Sequence, residues 1–260
     1  MKVLVACEFS GTVRDAFLAK GHDAMSCDVL DTDVPGPHYK GDVRDILGDG
    51  WDLMIAHPPC TYISNAGAKH LYPKGVLNQD RLALGMEAVA FFRTLLEADI
   101  PKICIENPIP SRVFGISDYT QIIQPYEHGH PFQKKTCLWL KGLPKLVHTD
   151  IVERGETTRQ AGNWFNKGGK DRQKNRAVTF PGIAAAMAQQ WGSEQTSPSV
   201  DIIPSYQEGS GYTLEQMAKG EHLLDYAADE ETRQKIKAHF SSEKRTAGED
   251  DVVSKLPSET

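Results

Sequence analysis

Short apolar runs alternate with longer amphipathic stretches through the first 190 residues, the pattern of βαβ units wrapped around a mostly parallel sheet. Residues 3–7 predict a first strand, 11–20 the helix behind it, 23–29 a second strand, and 51–56 and 103–105 two later ones. Between the last two, Leu82, Met86, Val89, Phe92 and Leu96 recur at near-helical spacing, which predicts a crossover helix over 78–98. A Cys-Leu-Trp-Leu run at 137–140 predicts one more short strand, and Pro181-Gly182 opens an alanine-rich helix within 179–191.

Residues 153–176 break this rhythm. Four glycines, seven lysines or arginines and the aromatics Trp164 and Phe165 read as a basic, flexible loop. Beyond the alanine-rich helix, 193–211 reads as a polar linker. Residues 212–240 form a helical appendage opening at Thr213 with Gln216 three residues on, a capping-box pattern. Residues 241–260 are polar enough to be disordered. The expected organisation is a catalytic domain over 1–192, with a basic insert at 141–176, then linker, appendage and tail.

Charge divides along the same boundaries. The net charge is −6, but residues 193–260 hold 14 acidic and 7 basic residues, so the acidity belongs to the tail. Within 141–180, nine lysines or arginines face four acids, which keeps a nucleic-acid partner open. The acidic tail is better suited to packing, a protein partner or self-association than to DNA. No apolar stretch approaches the roughly 20 residues that span a bilayer, so no membrane role is expected. The apolar start runs directly into Glu8, Gly11, Arg14 and Asp15, and reads as a buried strand rather than a signal peptide. Cysteines at 7, 27, 60, 104 and 137 are odd in number and irregularly spaced. That favours a reducing cytoplasm over a disulfide framework or a zinc site, and no metal is expected.

Two positions carry chemistry. Cys60 follows Pro58 and Pro59 at the end of an apolar run, and prolines cannot donate ladder hydrogen bonds, so the strand stops there on a stiff backbone. Glu106 follows Ile103-Cys104-Ile105 at the deep end of another. In open α/β sheets, ligands bind outside the carboxyl ends of the strands, so the thiol and the carboxylate are expected at one edge. A core thiol is the plainer alternative for any cysteine, and it suits Cys7, Cys27 and Cys104. Cys60, with His57, Thr61, Tyr62 and Ser64 around it, is in polar company. A buried carboxylate needs a partner; for Glu106 a salt bridge and a bound heterocycle explain it equally well.

Three further positions point to a cofactor. Gly11 directly after the first strand allows close backbone approach, and the absence of GxGxxG disfavours a pyrophosphate cradle and leaves room for a nucleoside without phosphates. Asp28, ending the second strand, stands where an acid accepts from ribose hydroxyls; Asp42 could meet an adenine edge. An ordinary turn and solvated loop acids are the plainer alternatives.

Together these pieces resemble the DNA cytosine-5 methyltransferases. Phe9-Ser10-Gly11 looks like the family's cofactor loop, Asp28 like its ribose-binding acid and Gly41-Asp42-Val43 like its adenine contact. Pro59-Cys60 matches its nucleophile motif, with Pro58 beside the cofactor and Ser64 where the family often has serine. Glu106-Asn107 matches its Glu-Asn-Val, with Pro108 replacing valine, and Asn175-Arg176-Ala177-Val178 looks like the late segment completing the cofactor site. The Gln-x-Arg-x-Arg element is reduced to Gln133-Lys134-Lys135-Thr136-Cys137, where Lys135 stands for one arginine. The match spans roughly residues 1–191 in family order.

The resemblance implies a Rossmann-like, S-adenosylmethionine-dependent methyltransferase fold. It further implies Cys60 as nucleophile, and Glu106 and Lys135 as its catalytic companions. Pro59, Ser64, Asn107, Gln133, Arg172, Lys174 and Arg176 are then expected to meet the substrate. The region that usually chooses a DNA sequence is small here. Duplex DNA, a free pyrimidine nucleotide (with a methyl or modified one-carbon group transferred), and a non-catalytic nucleic-acid-binding or inhibitory role all stay open. A compact enzyme of this kind would suit a bacterial or phage-infected cytoplasm.

Overall fold

A computed structural model describes residues 1–157 and 177–193, together with Gln234. The expected appendage and tail, and residues 158–176 of the basic insert, otherwise lie outside the described residues.

Continuous apolar runs build a sheet whose central strands are buried on both faces. Its strands are β1 (Lys2–Ala6), β2 (Asp23–Asp28), β3 (His38–Lys40), β4 (Leu53–Ala56), β5 (Lys102–Pro108), β6 (Gln121–Ile123) and β7 (Thr136–Lys141). They lie in the order β3-β2-β1-β4-β5-β7-β6, parallel from β3 to β5, with β7 antiparallel to both of its neighbours. Helices α1 (Thr12–Leu18), α2 (Asn65–Ala68), α3 (Gln79–Leu96) and α4 (Pro181–Trp191) complete the described framework. This mixed α/β, mostly parallel architecture is compatible with a Rossmann-like fold. The strand order reverses between β1 and β4, the switch point at which such sheets bind ligands.

Side chains two apart share a face, and the two cores follow that parity. Leu4, Ala6, Met54, Ala56, Ile103 and Ile105 pack with Leu82, Val89 and Phe92 of α3. Val3, Val5, Leu53, Ile55 and Cys104 pack with Val13 and Phe17 of α1 and Ile183 and Met187 of α4. Full burial of each large aliphatic contributes roughly 1.5–3 kcal/mol, so both helical layers are anchored by strand parity.

The three helices predicted within the described residues and the five predicted strands are present, with ends shifted by a few residues. Two differences matter. The fifth strand extends to Pro108, because β7 continues its ladder, pairing Glu106 with Leu138 and Asn107 with Cys137. Glu106 and Asn107 therefore sit inside the strand rather than after it. Edge strands β3 and β6, three residues each, were not expected; runs that short carry no periodicity.

Candidate active site at the carboxyl edge of the sheet

The register of β4 against β5 sets the site. Ala56 pairs with Ile105, so the next residues along each strand are His57 and Glu106. The His57 amide donates to the Ala6 carbonyl (2.9 Å), extending the β1–β4 ladder by one residue before Pro58 and Pro59 end it. Cys60 follows, half-buried.

The cysteine loop is held from two sides. Asn107 Nδ2 donates to the Pro58 carbonyl at 2.9 Å. From α3, Arg81 Nη2 donates to the carbonyls of Thr61 (3.1 Å) and Gly67 (3.0 Å), while its guanidinium lies 5.0 Å from the Tyr62 ring. Ser64 Oγ accepts from the Gly67 amide and caps α2. Ser64, Asn107 and Pro58 are buried, whereas Pro59 is exposed. The first three thus brace the loop, and Pro59 is the one open to a substrate.

The other cysteines are poor thiolate candidates. Burial, then the Asp28 charge, pushes Cys7 up and Cys27 up to about 12. Burial and then Glu106 push Cys104 well up and Cys137 to about 12. A protonated thiol is a weak nucleophile, which disfavours these four as nucleophiles. Cys7 also holds a left-handed backbone (φ 57°), a sparsely populated conformation for a residue with a side chain.

Parity sends Glu106 to the α1–α4 side of the sheet and Asn107 to the α3 side. Glu106 faces a small cleft lined by Lys134, Thr136, Thr179, Phe180 and Ile183. His57 Nδ1 lies 3.0 Å from Glu106 Oε2 and supplies the partner that sequence left unidentified. Burial alone would raise the Glu106 carboxyl, but the His57 hydrogen bond and the Lys134 charge outweigh it and hold the group below its usual range. Lys134 lines the cleft with Glu106, while Lys135 is exposed. The cation beside the carboxylate is therefore Lys134, one position from the one expected. The motif spacing fixed on Lys135 because no alternation is readable before β7 begins at Thr136.

At the β1–α1 turn, Glu8 folds back onto the helix that follows. Its carboxylate is buried and accepts from the amides of Val13 (2.7 Å) and Arg14 (3.2 Å), capping α1. A pyrophosphate would need that same helix N-terminus; Glu8 occupies it. Gly11 adopts φ 72°, and a Cβ there would meet Arg14 and Val34, so the glycine makes room for protein as well as for the turn. Phe9 is buried, its carbonyl accepting from Asp33 (2.8 Å), and Ser10 Oγ donates to Glu8. Arg14 is fully buried and binds Asp15, Ser26, Thr32 and the carbonyls of Val34 and Pro35, fixing the β2–β3 loop over the turn.

Asp28 ends β2 half-buried, and its Oδ1 accepts from the Leu30 amide (2.9 Å). A carboxylate has about four acceptor sites, so it retains capacity for a hydroxyl pair. Asp42 caps the 3₁₀ turn Val43–Asp45 and pairs with Arg44, whose hydrogen bonds hold its carboxyl below the usual range. Asp28 thus leaves a half-buried carboxylate at this edge, whereas Asp42 is paired with Arg44 and Glu8 is buried against the α1 amides.

Gln133 ties the insert to the body: its Nε2 donates to the Gly155 carbonyl (2.6 Å) and its amide to Glu156 (3.0 Å). The side chains of Gln121 and Gln190 bracket Leu146 and Val147. The described part of the insert is thus a tethered strap. Arg172, Lys174, Asn175 and Arg176 lie outside the described residues, and Ala177 is exposed. His57, Glu8, Lys134 and Arg81 were not assigned roles from sequence; only the His57 position, next to the double proline, carried a signal.

A scan against protein-family models gives no match, and no curated protein matches the sequence. Among the described residues, no cluster of His, Cys, Asp or Glu could hold a metal ion, and no helix is long and apolar enough to cross a membrane.

Proposed function

We propose that this chain is an S-adenosylmethionine-dependent methyltransferase acting at C5 of cytosine in DNA through a covalent adduct on Cys60. One observation carries the reading: the β4–β5 register sets the Pro58-Pro59-Cys60 loop and Glu106 at one carboxyl edge, locked together by Asn107. S-adenosylmethionine supplies an electrophilic methyl group. Asp28 would hold its ribose hydroxyls and Asp42 the adenine edge, while the capped α1 N-terminus leaves no seat for pyrophosphate. The inserted antiparallel β7 also separates this sheet from the all-parallel dinucleotide-binding order.

In this reading the Cys60 thiolate adds to C6 of the pyrimidine, which makes C5 nucleophilic toward the methyl group. Glu106 holds the N3/N4 edge, with Lys134 balancing its charge. Loss of the C5 proton and departure of the thiolate release the product. A base in a duplex must be flipped out first, and Arg172, Lys174 and Arg176 would meet the phosphates.

A second reading keeps the chemistry and changes the substrate to a free pyrimidine nucleotide. The close tethering of residues 146 and 147 to the body through Gln121 and Gln190 motivates it. Tritiated S-adenosylmethionine offered with DNA or with deoxycytidine nucleotides separates the two. Label on DNA that vanishes in Cys60→Ser supports the first, label on nucleotides alone supports the second, and no transfer to either sinks both.

A further inference from the structure

The Glu106 carboxylate shares a 3.0 Å hydrogen bond with an imidazole for which the motifs give no reason. The His57 side chain is 8% exposed, and its second nitrogen, Nε2, is buried with no hydrogen-bond partner. A buried polar atom left unpaired is destabilising. His57 and Cys60 flank Pro58 and Pro59 in the sequence.

We propose that His57 is a positioning residue that acts through Glu106 as the proton reservoir for the pyrimidine ring. The proposal rests on the reading of Cys60 and Glu106 given above. Cytosine presents an acceptor at N3 and a donor at N4, so an ionised Glu106 matches only half of that edge. When Cys60 Sγ bonds to C6, the displaced electron pair arrives at N3. N3 then takes one proton, passed from His57 Nδ1 through the Glu106 carboxylate, which leaves the imidazole neutral and Glu106 ionised. The edge now offers two donors, N3–H and N4–H, to an ionised carboxylate, and the fit is to the adduct rather than to the free base. When the thiolate leaves C6, the ring double bond re-forms and N3 returns its proton to the pair. Lys134 faces Glu106 and favours its ionised form; the buried Cys104 and Cys137 thiols flank it. The remaining cleft residues Thr136, Thr179, Phe180 and Ile183 do not titrate near neutrality.

The test compares wild type with His57→Asn and His57→Gln, both of which keep an amide donor toward Glu106. Two readouts are taken: the pH profile of covalent adduct formation on DNA containing 5-fluorocytosine, and NMR titration of the His57 imidazole in wild type and Glu106→Gln. Adduct formation is expected to fall about 100-fold in both His57 variants, the scale of one general-acid step. The alkaline fall of the wild-type profile should also vanish from them. Glu106→Gln should move the His57 imidazole resonances, because Nδ1 is hydrogen-bonded to that carboxylate. Wild-type rates and profile in the amide variants, or an imidazole indifferent to Glu106→Gln, would overturn the reservoir. A wild type that forms no adduct at any pH instead overturns the reading of Cys60 itself, while the NMR result still decides whether His57 and Glu106 exchange charge.

Discussion

Asn107 Nδ2 donates to the Pro58 carbonyl at 2.9 Å, so the strand that carries Glu106 also holds the loop that carries Cys60. Asn107 is 2% exposed and parity turns it to the opposite side of the sheet from Glu106. Its place is to brace rather than to touch a substrate. Asn107→Ala should lower stability by about 1–3 kcal/mol, the cost of stranding the Pro58 carbonyl in the interior. It should also slow adduct formation at Cys60 without weakening cofactor binding. Urea denaturation, adduct kinetics and calorimetric titration read the three quantities; a variant that loses cofactor binding and keeps adduct chemistry contradicts this assignment.

Lys134 and Lys135 make a matched pair of probes. Lys134 lines the cleft with Glu106, and Lys135 is exposed. Lys134→Ala should cut methyl transfer about 10-fold or more, the loss of one electrostatic partner of the carboxylate, while Lys135→Ala changes it little. Initial rates under saturating cofactor decide the order, and the reverse order would restore the motif-based assignment.

Gly11 is required by backbone and by packing. With φ 72° and Arg14 and Val34 where a Cβ would stand, Gly11→Ala should destabilise by more than about 1 kcal/mol. Thermal unfolding measures it. A neutral substitution would mean that the turn relaxes without cost.

Acid should weaken the fold through its histidines. Burial, then the charges of His148 and His130, lowers His128 from its ordinary 6.5 to about 4. A lowered histidine means that the unfolded chain binds more protons between those two values. Its contribution is therefore whole above pH 6.5 and is lost as pH falls toward 4. His22 and His130 are lowered too and act in the same sense. Denaturation midpoints at neutral and mildly acidic pH should differ, and the gap should shrink in His128→Asn. An unchanged gap removes His128 from the account.

The parallel core was legible because fully buried strands are apolar runs with clear ends, as at residues 51–56. The edge strands β3 and β6 were not, since three residues at a sheet margin carry no pattern. Cys60 and Glu106 could be picked out because polar groups at the ends of apolar runs need an explanation. The His57 partnership was hidden: it depends on the β4–β5 register, which pairs Ala56 with Ile105 across 49 positions of sequence. The position of Lys134 beside Glu106 was not legible, because the residues just before β7 show no alternation. Glu8 was read as mere punctuation after the first strand, although its carboxylate closes the helix that a phosphate would otherwise use.

Covalent trapping tests the central claim most directly. Wild-type protein, S-adenosylmethionine and DNA containing 5-fluorocytosine should give a denaturation-resistant complex, with the peptide bearing Cys60 carrying the added mass. Cys60→Ser should form none while retaining its fold. A complex that persists in Cys60→Ser, or whose added mass maps to Cys7, Cys27, Cys104 or Cys137, would contradict the assignment of Cys60 as the nucleophile.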